Sequence, residues 1–145
     1  MIARNNPFNI RYNKFNKWLG LIGENKGFCE FATMDYGLRA GIKLLLNYVY
    51  KKDCWSVQAI VSRYAPPNEN NTRNYIRNVS VALRQQGIDP DDLRSGCTLV
   101  NDYKFFHLCK NILKMETGYV FTLVDYIRVV DTFGLKKSLY GKQEF

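Results

Sequence analysis

Histidine is almost missing from this chain: His107 is the only one in 145 residues. The four cysteines, Cys29, Cys54, Cys97 and Cys109, are scattered and include no Cys-x-x-Cys pair. Zinc ligation at its usual spacings is therefore excluded, and neither a metal nor another cofactor is expected. Buried thiols are a better reading of these cysteines than two disulfides. No apolar run approaches the ~20 residues needed to cross a bilayer, so no membrane span is expected. The opening Met1-Ile2-Ala3-Arg4-Asn5-Asn6 also lacks the apolar stretch of a secretory leader, which implies synthesis in the cytoplasm without a signal peptide. Gly-rich phosphate loops and calcium-loop spacings are absent too. Acidic residues are scarce, with Asp+Glu 13 against Lys+Arg 21. The resulting charge of +8 favours polyanionic partners such as nucleic acid, an anionic cell envelope or an anionic glycan.

What is present describes an ordinary globular protein. A hydrophobic fraction of 46% and a charged fraction of 23% exclude disorder and fibrous classes. The length suits one domain spanning residues 1–145, a monomer with one core. Residues 1–32 are rich in Asn, Gly and aromatics without helical periodicity, which predicts ordered loop with one short hairpin. From Thr33 the period changes. Leu38, Ile42, Leu45, Leu46 and Val49 recur at helical spacing behind an N-cap at Thr33 or Asp35.

A second helix is predicted after Asp53, carrying Trp55, Ile60 and Val61 until Pro66-Pro67 stops it. Asn71 caps a third, with Tyr75, Ile76, Val79 and Leu83 inward and Gly87 at its end. Asn101 or Asp102 caps a fourth, with Phe105, Leu108, Cys109 and Ile112 inward and Gly118 closing it. A fifth runs from about Thr122 to Thr132 and ends at Gly134. The expected architecture is mainly α: five helices over residues 33–134, an irregular N-terminal segment packed across them, and a basic tail over 135–145.

Three stretches could carry chemistry. Asn5-Asn6-Pro7-Phe8-Asn9-Ile10-Arg11 and Trp18-Leu19-Gly20 combine amides, which hold irregular backbone, with a flat ring on which a sugar could stack. Their other reading is a loop pinned onto helices. Around Arg63-Tyr64-Ala65-Pro66-Pro67-Asn68-Glu69-Asn70-Asn71-Thr72, Glu69 either stabilises a helix N-terminus or joins Asn70 in a cleft. Glu116 follows an apolar helical approach and sits at the negative end of the helix dipole, before Gly118. If desolvated there, its pKa would rise toward that of a general acid working near neutrality. Otherwise it is a solvated Glu beside a glycine cap. His107 reads as a packed or surface residue.

In order, Asn-Asn-Pro-x-Asn-Ile-Arg, Trp-x-Gly, Phe-x-x-Phe, Tyr-Gly-x-Arg-Ala, Arg-Tyr-Ala-Pro-Pro-x-Glu-Asn-Asn-Thr-x-x-Tyr and Met-Glu-x-Gly run from about residue 4 to 118. This series resembles a family of small proteins from phages and prophages of Bacteroides-type bacteria. They are usually labelled phage structural proteins, and a lysozyme-like role has been attributed to some. Phe8 stands where many relatives have Gly or Leu, and Thr117 where Asn is usual. A second similarity is to glucosaminidases and lytic transglycosylases of the lysozyme superfamily. Those place a catalytic Glu in Glu-Ser-Gly-like context ahead of Asn-Asn and Trp-x-Gly, whereas here Glu116-Thr117-Gly118 comes last, so the elements look circularly permuted.

The resemblance implies a lysozyme-like fold and a peptidoglycan-cleaving glycosidase of phage type, either a lysozyme or a lytic transglycosylase. Glu116 would protonate the glycosidic oxygen, and Glu69 or Glu30 would be the second carboxylate of a hydrolase. Asn5, Asn6, Trp18, Tyr64 and Asn70 would bind the glycan strand. Such an enzyme would act at the cell wall after release by a holin or another carrier, or as part of a virion beside other virion proteins. Two rival readings are a non-enzymatic virion or tail component and a basic nucleic-acid-binding protein.

Overall fold

The computed structural model describes residues 2–66, 71–94 and 99–140, and the architecture is mainly helical. A 3-10 turn at Ala3–Asn5 leads into an irregular segment. The antiparallel hairpin β1 (Leu21–Asn25) and β2 (Phe28–Phe31) follows, and then α1 (Met34–Tyr50), α2 (Val57–Tyr64), α3 (Thr72–Gln85), α4 (Asp102–Glu116), α5 (Leu123–Phe133) and a short α6 (Lys136–Tyr140).

The helices begin where their capping side chains stand. Thr33, Ser56, Asn71, Asn101 and Thr122 each accept a hydrogen bond from a backbone N–H of the first turn, satisfying donors the helix leaves over. Ser56 is the stop that keeps Trp55 out of α2. Trp55 instead packs edge-on against Tyr50 at 5.5 Å.

Leu38, Ile42, Leu45, Leu46 and Val49 of α1 are fully buried, and they belong to one apolar cluster with Ile60, Val79, Leu108, Ile112 and Val129. Central α1 also packs against α5, β2 and the first turn of the chain. Cys29, Cys54 and Cys109 are buried free thiols among the described residues, and Cys97 lies outside them. Burial raises the thiol pKa of Cys29 and raises that of Cys109 further.

The C-terminal stretch departs from the sequence expectation. Within the stretch expected as a basic tail, Lys136–Tyr140 form a sixth, docked helix. Gly134 ends α5 in the left-handed conformation, and the Leu135 N–H then bonds back to the Val130 carbonyl. Leu135 and Leu139, one helical turn apart, drop into the core at 2% and 0% exposure. The Tyr50 hydroxyl donates to the Leu139 carbonyl. Two apolar residues outweigh the lysines around them.

The N-terminal segment is held by its own asparagines. Asn6 is 2% exposed; its amide donates to the carbonyls of Ile10 and Cys29 and its oxygen accepts from the Ile10 N–H. Asn5 donates to the Phe31 carbonyl. The backbone passes so close to α1 that a Cβ on Gly37 would stand 1.9 Å from the Asn5 carbonyl oxygen, and one on Gly41 would stand 2.0 Å from the Phe8 ring. The Tyr-Gly-x-Arg-Ala stretch thus provides the groove in which Asn-Asn-Pro-x-Asn lies. Replacing Asn6 with Ala would strand the buried Ile10 N–H, and each stranded group costs roughly 1–3 kcal/mol. Asn6→Ala should therefore lower stability by about 2–3 kcal/mol, seen as a lower urea midpoint at unchanged m-value.

Candidate functional site

The end of α4 and the start of the chain meet. Asn9, in left-handed backbone at φ 54, donates from its amide to the Glu116 carbonyl oxygen at 3.1 Å and to Glu116 Oε1 at 3.3 Å. Thr117 donates to the Pro7 carbonyl at 2.7 Å. From α3, the Tyr75 hydroxyl donates to Glu116 Oε2 at 2.8 Å. The last residue of α2, Tyr64, donates its hydroxyl to the Phe8 carbonyl.

These ties leave a cleft of about 450 Å³ beside Glu116, with Trp18, Tyr48, Tyr64, Arg11 and Arg63 among its walls. Tyr48 and Tyr64 meet edge to face at 6.5 Å, and the Arg63 guanidinium lies 5.9 Å from the Tyr48 ring centre. The cleft is thus an aromatic trough with cationic edges. Among the described residues Glu116 is its only carboxylate.

Burial pushes the Glu116 carboxyl above the usual range; hydrogen bonds from Tyr75 and Asn9 and the charge of Arg11 pull it back only in part. Desolvation dominates because the carboxyl is mostly buried, and the C-terminal end of a helix offers an anion no compensation. Burial, joined by the neighbouring Glu116 charge, lifts Tyr75 and Tyr64 above the ordinary phenol range. Both stay hydroxyl donors. A carboxyl that holds its proton to higher pH, beside flat rings, is equipped to protonate an oxygen of a ring-shaped ligand lying in the trough.

Of the residues singled out in the sequence, Glu116, Trp18 and Tyr64 share this cleft. Asn5 and Asn6 do not line it. Their amides donate to main-chain carbonyls and pin the N-terminal segment in place. Glu69 and Asn70 lie outside the described residues, although nearby Pro66 lines the cleft. Glu30 sits on β2 and is not among the lining residues. His107 is remote from the site, edge-on to Tyr103 at 4.7 Å, and its imidazole pKa is lowered by burial and by Lys110.

Sequence reading missed Asn9, Tyr75, Tyr48 and Arg63 as site residues. Tyr75 was placed on the inner face of α3, where it indeed lies. The overlooked signal was that a buried tyrosine needs an acceptor for its hydroxyl, and Glu116 is that acceptor.

No family model matches this chain. Over 83 residues it is 36% identical to Protein P5 of Pseudoalteromonas phage PM2, an alignment covering 54% of this chain and 52% of that protein. The chain is related to a phage protein. It spans about half of that relative's length, and the relative's name states no activity.

Proposed function

We propose that this phage-related chain cleaves the glycan strands of peptidoglycan, with Glu116 as the general acid. The observation that carries the reading is a desolvated carboxyl, Glu116, opening onto a trough walled by Trp18, Tyr48 and Tyr64. In the proposed reaction a sugar ring stacks on the aromatic wall and Glu116 gives its proton to the glycosidic oxygen as the C–O bond breaks. The electron pair of that bond leaves with the departing sugar, and the anomeric carbon is then taken by water or by a hydroxyl of the same sugar, whose proton passes to the Glu116 carboxylate left by the first step. The first outcome is a lysozyme and the second a lytic transglycosylase. Arg11 and Arg63 suit the carboxylates of peptide stems or other anionic groups on the strand. Digestion of purified sacculi with mass spectrometry of the released muropeptides tests all of this: reducing ends identify a hydrolase and anhydro ends a transglycosylase.

A structural phage component is the second reading. It is favoured by the same hydrogen bonds seen from the other side, since Asn9 and Tyr75 also make Glu116 a clasp between the N-terminal segment, α3 and α4. Intact sacculi after prolonged incubation would select it.

The Tyr75 hydroxyl separates the two. A general acid must be protonated to act, so cleavage falls as pH rises through the Glu116 pKa. Tyr75→Phe removes a bond that lowers this pKa and should move the alkaline limb of the pH–rate profile upward. A profile that keeps its position would detach Glu116 from the rate.

A further inference from the structure

The segment from Arg11 to Lys26 combines exposed apolar side chains with exposed lysines. Large apolar side chains stand open to solvent along it: Phe15 is 80% exposed, Ile22 68%, Leu19 50% and Tyr12 41%. Lys14, Lys17 and Lys26 are exposed among them. The only acid in the stretch, Glu24, turns its carboxylate to the Gly27 N–H at 3.0 Å. Lys14 also lies 5.2 Å from the Phe15 ring centre, so cation and ring are presented as a unit. The exposed apolar face of α5 differs in this respect. Leu123, Val124 and Ile127 are interspersed along that helix with Asp125, Arg128 and Asp131, and no one sign of charge prevails there.

We infer that residues 11–26 form a docking surface for an anionic lipid bilayer, the lysines meeting headgroups while Phe15, Leu19 and Ile22 enter the boundary beneath them. Lysines gain from the surface potential of anionic lipid, and the apolar side chains gain by leaving water. Leu19 and Ile22 decide between lipid and nucleic acid, because aliphatic groups find no counterpart on a phosphate backbone and have no ring to stack on a base. No helix among the described residues is long and apolar enough to cross a membrane, so the contact is interfacial. Tyr12 belongs both to this surface and to the wall of the cleft, and docking would therefore hold the mouth of the trough close to the bilayer. This inference is independent of what Glu116 does.

Co-sedimentation tests it, using the whole protein with vesicles of phosphatidylcholine alone or mixed with phosphatidylglycerol, and with duplex DNA in a parallel salt titration. The wild type should bind the mixed vesicles and leave the neutral ones. Lys14→Glu combined with Lys17→Glu should weaken binding by at least roughly twenty-fivefold, at about fivefold for each lysine lost. Phe15→Ser with Ile22→Ser should weaken it about tenfold or more while leaving any DNA binding unchanged. All four positions are exposed, and an unchanged circular dichroism melt confirms the fold of each variant; should one pair fail to fold, the other still decides. Three results overturn the inference: equal binding to neutral vesicles, full vesicle affinity in the serine variant, or capture by DNA without capture by vesicles. Sacculus digestion is measured on the same preparations, so loss of docking is distinguished from loss of cleavage.

Discussion

Glu116→Gln should reduce muropeptide release by at least the ~10²-fold that follows loss of a positioned general acid, with no loss of thermal stability at pH 7. The fold should survive because glutamine can accept from Asn9 through its oxygen and donate through its amide to the Tyr75 hydroxyl, which accepts as readily as it donates. The sign of the stability effect follows from the raised pKa of Glu116. A carboxyl whose folded pKa lies above its unfolded one binds its proton more tightly when folded. Its favourable contribution is complete below the unfolded pKa and is lost as pH rises through the folded one. Once pH has passed the folded pKa the carboxyl has lost that contribution, and glutamine, which does not titrate, is spared the loss. The Tm of the variant should therefore equal or exceed that of the wild type at pH 7, with its relative advantage shrinking toward pH values below the carboxylate range. Lower stability at pH 7, together with unchanged sacculus digestion, would make Glu116 a structural clasp and nothing more.

The second large effect concerns Phe8, which is 0% exposed and lies over the bare backbone of Gly41. Phe8→Ala removes a ring from a site that rigid helix α1 cannot close, and should cost about 3–5 kcal/mol. That is a large share of the 5–15 kcal/mol typical of a whole domain. The contact with Gly41 makes the assignment testable beyond simple loss of bulk. In the wild type, Gly41→Ala forces a methyl group into the ring and should destabilise by about 1–3 kcal/mol. In the Phe8→Ala background the same methyl enters vacated space and should cost little or nothing. Urea melts of the four proteins give the coupling energy directly, and additivity of the two substitutions would contradict the packing described here.

The helices were legible in the sequence because their signals are local. Asn71 caps as expected, Thr33 and Asn101 cap rather than the alternatives Asp35 and Asp102, and the 3.6-residue recurrence of Leu38, Ile42, Leu45 and Val49 marks the buried face of α1. The last helix was not legible, since Leu135 and Leu139 supply a single apolar pair among charged neighbours and only the waiting core gives that pair its weight. At the site, Glu116 stood out through its awkward place on the dipole. Asn5 and Asn6 were read as ligand-facing because an amide looks the same in sequence whether it meets a sugar or a carbonyl. What distinguishes them is the path of the main chain, with its positive φ at Arg4, Asn5 and Asn9, and no periodicity announces such a path. Tyr48 and Arg63 joined the cleft for an equally non-local reason, the packing of α1 and α2 against a segment far away in sequence.

The clasp between Asn9 and Glu116 spans 107 residues of chain, and this fixes when it can close during synthesis of the protein. At roughly 5–20 residues per second, a ribosome that has threaded out the first hairpin must still translate for several seconds before the carboxylate and its α4 support exist. Through that interval Asn9 has no Glu116 to hold. Every nascent chain therefore lacks this clasp until α4 is finished, and a product truncated before residue 116 would carry the trough's aromatics without its carboxyl.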